Sequence, residues 1–291
     1  MIDSSFLKLL DRLSLILNKK VTSNYTGERE SKHTGHGMVF KDYIIYAPGD
    51  DFRGIDWKVM ARTDKLFSRR YEEERNLTVH IIIDTSASMN FGSQKVKKFE
   101  YASEIGIGFS YMALKNNERF VISTFSDSLD VFKPKKGREQ LVHIMDFLNK
   151  KGAKGVSNFE ASLTKYKKLI NSKSLVVIVS DFLYPSAEIA AVLHKLRRHD
   201  VRLIQVLDPV EADLNLDGDY KLKDNETNEV MRTFISPALR KQYLTQMADH
   251  QASIKKSCDE IGARFYPFST GTSIFDAFAY VLRPDNNKNH K

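Results

Sequence analysis

The chain is poor in cysteine, lacks a long apolar run, and carries no excess of negative charge. Its one cysteine, Cys258, excludes an intrachain disulfide framework and any cysteine-built zinc centre. It falls in the helical-looking segment Pro237–Ile261, where a small packed hydrophobe is expected rather than a nucleophile. No apolar stretch approaches the ~20 residues that span a bilayer. The N-terminal stretch Phe6–Leu17 is interrupted by Lys8, Asp11 and Arg12, which leaves Phe6, Leu9, Leu10, Leu13, Ile16 and Leu17 on one helical face. Lys19 and Lys20 follow this stretch, whereas a signal peptide carries its positive charge in front. A soluble, cytoplasmic protein is expected.

What is present is a basic balance and a large apolar fraction. The 291 residues carry a net charge of +8, which favours an acidic partner, protein or nucleic acid. The lysines come in small groups (Lys95–Lys98, Lys133–Arg138, Lys165–Lys168, Lys195–Arg198, Lys255 and Lys256), read as solvated helical faces and loops. From residue 77 onward, apolar runs alternate with helical periodicity, the pattern of an α/β fold. Strands are expected at Leu77–Ile83, Arg119–Phe125, Leu129–Phe132 (an antiparallel edge), Ser174–Ser180, Val201–Leu207 and Arg264–Phe268. Helices are expected at Val96–Lys115, Glu139–Asn149, Phe159–Ile170, Ala187–Arg198, Pro237–Ile261 and Ser273–Val281. The fold class is therefore a doubly wound, mostly parallel six-stranded sheet. The rhythm lapses near 210–236, where Tyr220–Lys223 and Val230–Ile235 read as an inserted hairpin.

Three parts follow: residues 1–75, with an N-terminal helix and a polar segment packing on the main domain; the sheet domain, 76–284; and a flexible tail, 285–291. In the first part, Trp57 is expected to be an anchor. Asp50, Asp51 and Asp56 either form a second acidic site or, the preferred reading, pair with Arg53 and Arg62.

The chemistry concentrates at strand ends. Asp84-Thr85-Ser86-Ala87-Ser88 follows an apolar run and offers a carboxylate and hydroxyls at alternate positions. It is either a polar turn capping the next helix or a site for a hard cation, Mg²⁺, Mn²⁺ or Ca²⁺. Asp181 ends the run Ser174–Ser180. With strand order 3-2-1-4-5-6, it and Asp84 face one crevice at the switch point, where doubly wound sheets bind ligands. Two carboxylates there are costly without a cation between them. Ser157, in Gly155-Val156-Ser157-Asn158, either joins that crevice or caps a helix.

Together these segments resemble the von Willebrand factor A domain with its metal-ion-dependent adhesion site. The resemblance implies Asp84, Ser86, Ser88, Ser157 and Asp181 as metal ligands, with Ser157 where threonine is usual. Gly35–Phe40, Tyr46-Ala47-Pro48-Gly49-Asp50-Asp51 through Ile55-Asp56-Trp57, and Ala61-Arg62-Thr63 are similar to the signature of domain-of-unknown-function family 58. That resemblance covers roughly residues 30–280. It implies a non-enzymatic protein–protein interaction module whose ion takes an Asp or Glu from a partner, and an adaptor or co-chaperone role for a MoxR-type AAA+ ATPase.

The alternatives are a basic nucleic-acid-associated protein, on the charge and on Arg69-Arg70-Tyr71, or a metal-dependent hydrolase. Glu72-Glu73-Glu74 spoils a phosphate-binding stripe. Ser86 stands where an Asp-x-Asp phosphatase needs its second aspartate. No histidine (His80, His143, His194, His199) sits at a strand end, and no Gly-rich phosphate loop follows a strand. Asp213-x-Asn215-x-Asp217-Gly218 with Asp224 imitates a calcium loop but reads as a hairpin entry. His33 and His36 read as exposed loop histidines.

Overall fold

A computed structural model describes Phe6, Leu10, Asp11 and residues 38–48, 50–73, 78–132, 139–227 and 229–282. The tail from 283 onward, His33, His36, Lys133–Arg138 and most of the expected N-terminal helix lie outside the described residues. The chain forms two compact units, Asn18–Asn76 and the remainder, which joins Met1–Leu17 to Leu77–Lys291.

In the smaller unit, β1 (Met38–Ile45) pairs antiparallel with β2 (Phe67–Glu73), Tyr43 opposite Arg69. Between them lie a 3₁₀ turn, Phe52–Gly54, and the short helix α1 (Trp57–Thr63). One carboxylate organises this turn. Asp56 caps α1 by accepting from the Lys58 and Val59 N–H groups at 3.0 and 3.3 Å, and also accepts from the Tyr43 hydroxyl and Arg69 Nε at 2.8 Å each. The Arg69 and Tyr43 hydrogen bonds hold its carboxyl well below the usual range. The partner of Asp56 is therefore Arg69, across the strand pair, rather than Arg53 or Arg62. Asp50 and Asp51 accept local N–H groups, of Ala47 and Arg53 respectively. Trp57, the first residue of α1, is exposed.

In the larger unit, six strands form the order β10-β7-β6-β3-β4-β5. They are β3 (Thr78–Asp84), β4 (Arg119–Phe125), β5 (Leu129–Phe132), β6 (Leu175–Ser180), β7 (Asp200–Leu207) and β10 (Arg264–Ser269). All neighbours are parallel except β4 and β5. This is the 3-2-1-4-5-6 order, the condition for Asp84 and Asp181 to share a crevice, and it sets β3 beside β6. Leu175–Ser180 is buried at every position, as a strand covered on both faces must be. Successive residues serve opposite layers. Ile81, Ile83, Val177 and Val179 join one cluster under α2 (Lys98–Lys115), α3 (Glu139–Lys151) and α8 (Ile274–Val281). Ile82, Val176 and Ile178 join the other, under α4 (Phe159–Lys167), α5 (Ser186–Leu196) and α7 (Pro237–Ile261). Leu10 is buried in the first cluster, and Asp11 lies 3.7 Å from Lys115.

Gly108 lets α2 approach α8: a Cβ there would stand 2.0 Å from Cζ of Phe278. A short helix, α6 (Pro209–Asp213), follows β7, and a separate hairpin, β8 (Gly218–Lys223) with β9 (Val230–Ile235), precedes α7. Asp217 and Asp224 thus stand at opposite ends of β8, which does not form a calcium loop. Cys258 is buried, and burial pushes its thiol up to about 12, so it packs as a hydrophobe.

Candidate functional site at the β3–β6 switch point

Three loops meet at the carboxyl ends of β3 and β6. The loop after β3 is sewn to the loop before α4 by Ala87 N–H to Gly155 O (2.9 Å) and Lys154 N–H to Thr85 O (2.7 Å). Gly155 has φ +87°, a left-handed conformation that glycine adopts without strain, and this turn carries Ser157 toward the crevice. The loop after β6 is fixed from behind. Gln205 of β7 donates to Asp181 O at 2.8 Å, and His250 of α7 donates through Nε2 to Phe182 O at 2.7 Å. Buried Phe182 itself takes a positive φ of 51°. That conformation is uncommon for a bulky residue, and it turns the chain sharply just after Asp181.

Asp84 is fully buried. Its Oδ1 accepts the Ser86 N–H at 2.8 Å, and its Oδ2 accepts the Ser180 hydroxyl at 2.7 Å and the Tyr184 phenol. The Ser157 hydroxyl lies 2.6 Å from the same phenol. With the single phenol proton on Asp84, Ser157 is the donor in that second bond. Ser86 and Ser88 hydroxyls stand 2.9 Å apart. Four of the five expected residues therefore belong to one hydrogen-bonded web, with Tyr184 as its bridge. The Tyr184 ring is held by stacking on Phe159, at 4.7 Å between centroids.

Asp181 is brought to the same crevice by strand adjacency, yet its oxygens turn elsewhere. Oδ2 accepts from the Lys98 ammonium at 3.0 Å, and Oδ1 from the Leu183 N–H at 3.4 Å. Lys98 is completely buried and also meets Glu211 at 2.7 Å. This corrects the expectation that Lys95–Lys98 lies on a solvated face. Lys98 stands at the first turn of α2 and points into the layer under the crevice.

The charges act on one another. Burial, reinforced by the Asp181 charge, pushes the Asp84 carboxyl up to about 6, although three hydrogen bonds favour its ionised form. For Lys98, burial works against the charge, but the Asp181 and Glu211 carboxylates outweigh it and the net shift is upward. Burial raises the Glu211 carboxyl against the pull of Lys98. Tyr184 lies well above the usual phenol range, through burial and then the Asp84 and Asp181 charges.

All five expected side chains offer oxygen, two as carboxylates and three as hydroxyls, the donor type that hard divalent cations take. Among the described residues, no three His, Cys, Asp or Glu side chains group as a metal site, so a cation held here would depend on the hydroxyls as well. His80 lies inside β3, 2.8 Å from the Tyr166 hydroxyl, and serves the core. A groove of about 890 Å³ between residues 215–217 and the first turns of α7 is lined by none of the five. Sequence reasoning missed Ser180, Tyr184, Lys98 and Glu211. The only local signal was the position of Tyr184, three residues beyond Asp181.

The strand order and the helices on both faces give the doubly wound α/β fold that the resemblance to the von Willebrand factor A domain implies. The family described as "Protein of unknown function DUF58" matches residues 42–253, and the chain belongs to that family. Uncharacterized proteins of Mycobacterium tuberculosis and Mycobacterium bovis are 26% identical over 265 residues, spanning 90% of this chain and 84% of theirs. Among solved structures, similarity is found to an aerotolerance-related membrane protein from Bacteroides fragilis, with TM-score 0.44, 14% identity, and coverage of 71% of this chain and 98% of that one. The SpRpn10 VWA domain gives TM-score 0.43, 12% identity, and coverage of 71% and 95%. No helix among the described residues is long and apolar enough to cross a membrane.

Proposed function

We propose that the protein is a divalent-cation-dependent protein–protein interaction module, and that its partner presents an Asp or Glu to the β3–β6 crevice. The observation that carries this reading is the convergence of Asp84, Ser86, Ser88 and Ser157 on one hydrogen-bonded web at the switch point, with Asp181 beside it. When bound, Mg²⁺, Mn²⁺ or Ca²⁺ supplies a positive charge with a coordination position left for the partner's carboxylate. Asp84 and Asp181 supply the negative charge that draws the ion, and Ser86, Ser88 and Ser157 supply neutral oxygens. Because Ser86, Ser88 and Ser157 add no negative charge, the ligand set does not exceed the ion's own charge, and the ion can still take a further carboxylate. Tyr184 and Ser180 hold Asp84 in place, and the loop tied down by Gln205 and His250 holds Asp181.

The reading carries no reaction: the residues at the crevice bind and orient. The partner class is a MoxR-type AAA+ ATPase, for which the protein acts as adaptor or co-chaperone. The test is capture of such a purified ATPase by the immobilised full chain, in Mg²⁺ and in EDTA, with wild type and Asp84→Ala. Capture lost in EDTA and in the variant is expected, with the variant still folded by circular dichroism. Equal capture in EDTA refutes the metal-mediated mechanism, and EDTA-insensitive, salt-sensitive retention on DNA would favour a nucleic-acid role instead.

A further inference from the structure

We propose that Lys98 is a cation built into this site, whose ammonium occupies Asp181 and thereby sets how strongly the crevice holds a divalent ion. The inference rests on the reading that the crevice takes such an ion, and adds a residue and a control to it.

Lys98 is fully buried, as is Asp181 to within 3% of its side chain. A lysine is almost never buried to this degree without partners, and a purely structural role would be met by any pair of carboxylates. Here one of its two partners is the strand-end aspartate of the crevice, at 3.0 Å, and the other is Glu211, at 2.7 Å. Glu211 is itself fixed: its other oxygen accepts the Asp208 N–H at 3.0 Å in the capping box of α6. Asp208 in turn accepts the Ser93 N–H and hydroxyl from the loop after β3. The ammonium is thus held at a defined position by elements that also shape the crevice.

The consequence is electrostatic. One positive charge on Asp181 neutralises half of the negative charge that the two aspartates present, and repels a second cation. In a dry environment that repulsion is weakly screened by salt. Glu211 works in the opposite direction, since it shares the ammonium and relieves Asp181 of part of its field.

Two substitutions therefore have opposite signs. Lys98→Met keeps the length of the side chain and removes the charge, and should tighten Mn²⁺ binding by about tenfold or more. Glu211→Gln leaves the ammonium to Asp181 alone and should weaken it several-fold. Both remove one partner of the same ion pair, so a merely structural role would weaken binding in both. Mn²⁺ alone is the probe, titrated into the full chain by calorimetry and by the loss of the free-ion paramagnetic resonance signal, with folding checked by circular dichroism. Lys98→Gln is the second variant, neutral yet able to donate to both carboxylates, and should move binding in the same direction as Lys98→Met.

Tighter binding in the two Lys98 variants and looser binding in Glu211→Gln supports the proposal. Unchanged or weaker binding in folded Lys98 variants overturns it, while wild-type binding abolished by Asp84→Ala would leave the crevice reading intact. Mn²⁺ binding that survives Asp84→Ala refutes the crevice reading itself, and absence of binding in wild type and in both Lys98 variants refutes both.

Discussion

Replacing Asp84 by asparagine should stabilise the metal-free protein at neutral pH, an unusual result for a substitution at the centre of a binding site. Ionised Asp84 is buried beside Asp181, and this lifts its carboxyl from 3.8 to about 6. A tenfold change in proton affinity is worth ~1.4 kcal/mol, so ionising Asp84 in the folded chain costs about 3 kcal/mol more than in the unfolded one. The sign follows from which state holds the proton more tightly. The folded state does, so this contribution to stability is greatest below pH 3.8, declines up to about pH 6, and stays low above that.

Asparagine carries no charge and fits the same bonds. Its Oδ1 can accept the Ser86 N–H, and its Nδ2 can donate to the Ser180 and Tyr184 hydroxyls, whose protons rotate away. Urea unfolding of wild type and Asp84→Asn in EDTA, at pH 4, 5, 6 and 7.5, measures the difference. Asp84→Asn should gain on wild type by up to about 3 kcal/mol between pH 4 and 7.5. Taking the difference between the two proteins cancels the titrating groups that do not interact with Asp84, and leaves Asp84 with the neighbours that feel its charge. A variant less stable than wild type at pH 7.5, or a difference independent of pH, would refute the reasoning.

The remaining predictions concern the core. Gly108→Ala places a methyl 2.0 Å from Cζ of buried Phe278, so about 1–3 kcal/mol should be lost despite a helix-propensity gain of ~1 kcal/mol. A melting temperature at or above that of wild type would contradict this. His80 should stay neutral through pH 5, because burial, then the nearby His199 charge, hold its imidazole down at about 4. Its contribution to stability is complete above pH 6.5 and is lost as pH falls toward 4. A ring-proton NMR titration with a midpoint near 6.5 would count against it.

The sheet was legible because each of its central strands carries its own signal. Ile81–Ile83 and Leu175–Val179 are unbroken apolar runs, and only a strand covered on both faces needs one. Asp84 and Asp181 were legible for the same reason, as carboxylates where those runs stop. The pairing of β1 with β2 was not, since its residues are half polar and the bond from Asp56 to Arg69 spans the intervening helix. Lys98 was misread for a related reason. Among the three lysines at this helix start, Lys95, Lys97 and Lys98, one-dimensional reasoning sees equivalent charges, and nothing local says which of them faces inward.

By itself, then, the sequence determined the doubly wound sheet and the oxygen-rich strand ends, because these depend on apolar runs and on residues adjacent in the chain. Only the tertiary structure decided how those oxygens are used. Tyr184 bridges Asp84 and Ser157, while Lys98, 83 residues before Asp181, takes hold of that second carboxylate. Partners so far apart in sequence meet only when α2, β6 and α6 pack, and the low dielectric that gives their charges force exists only once that packing has excluded water.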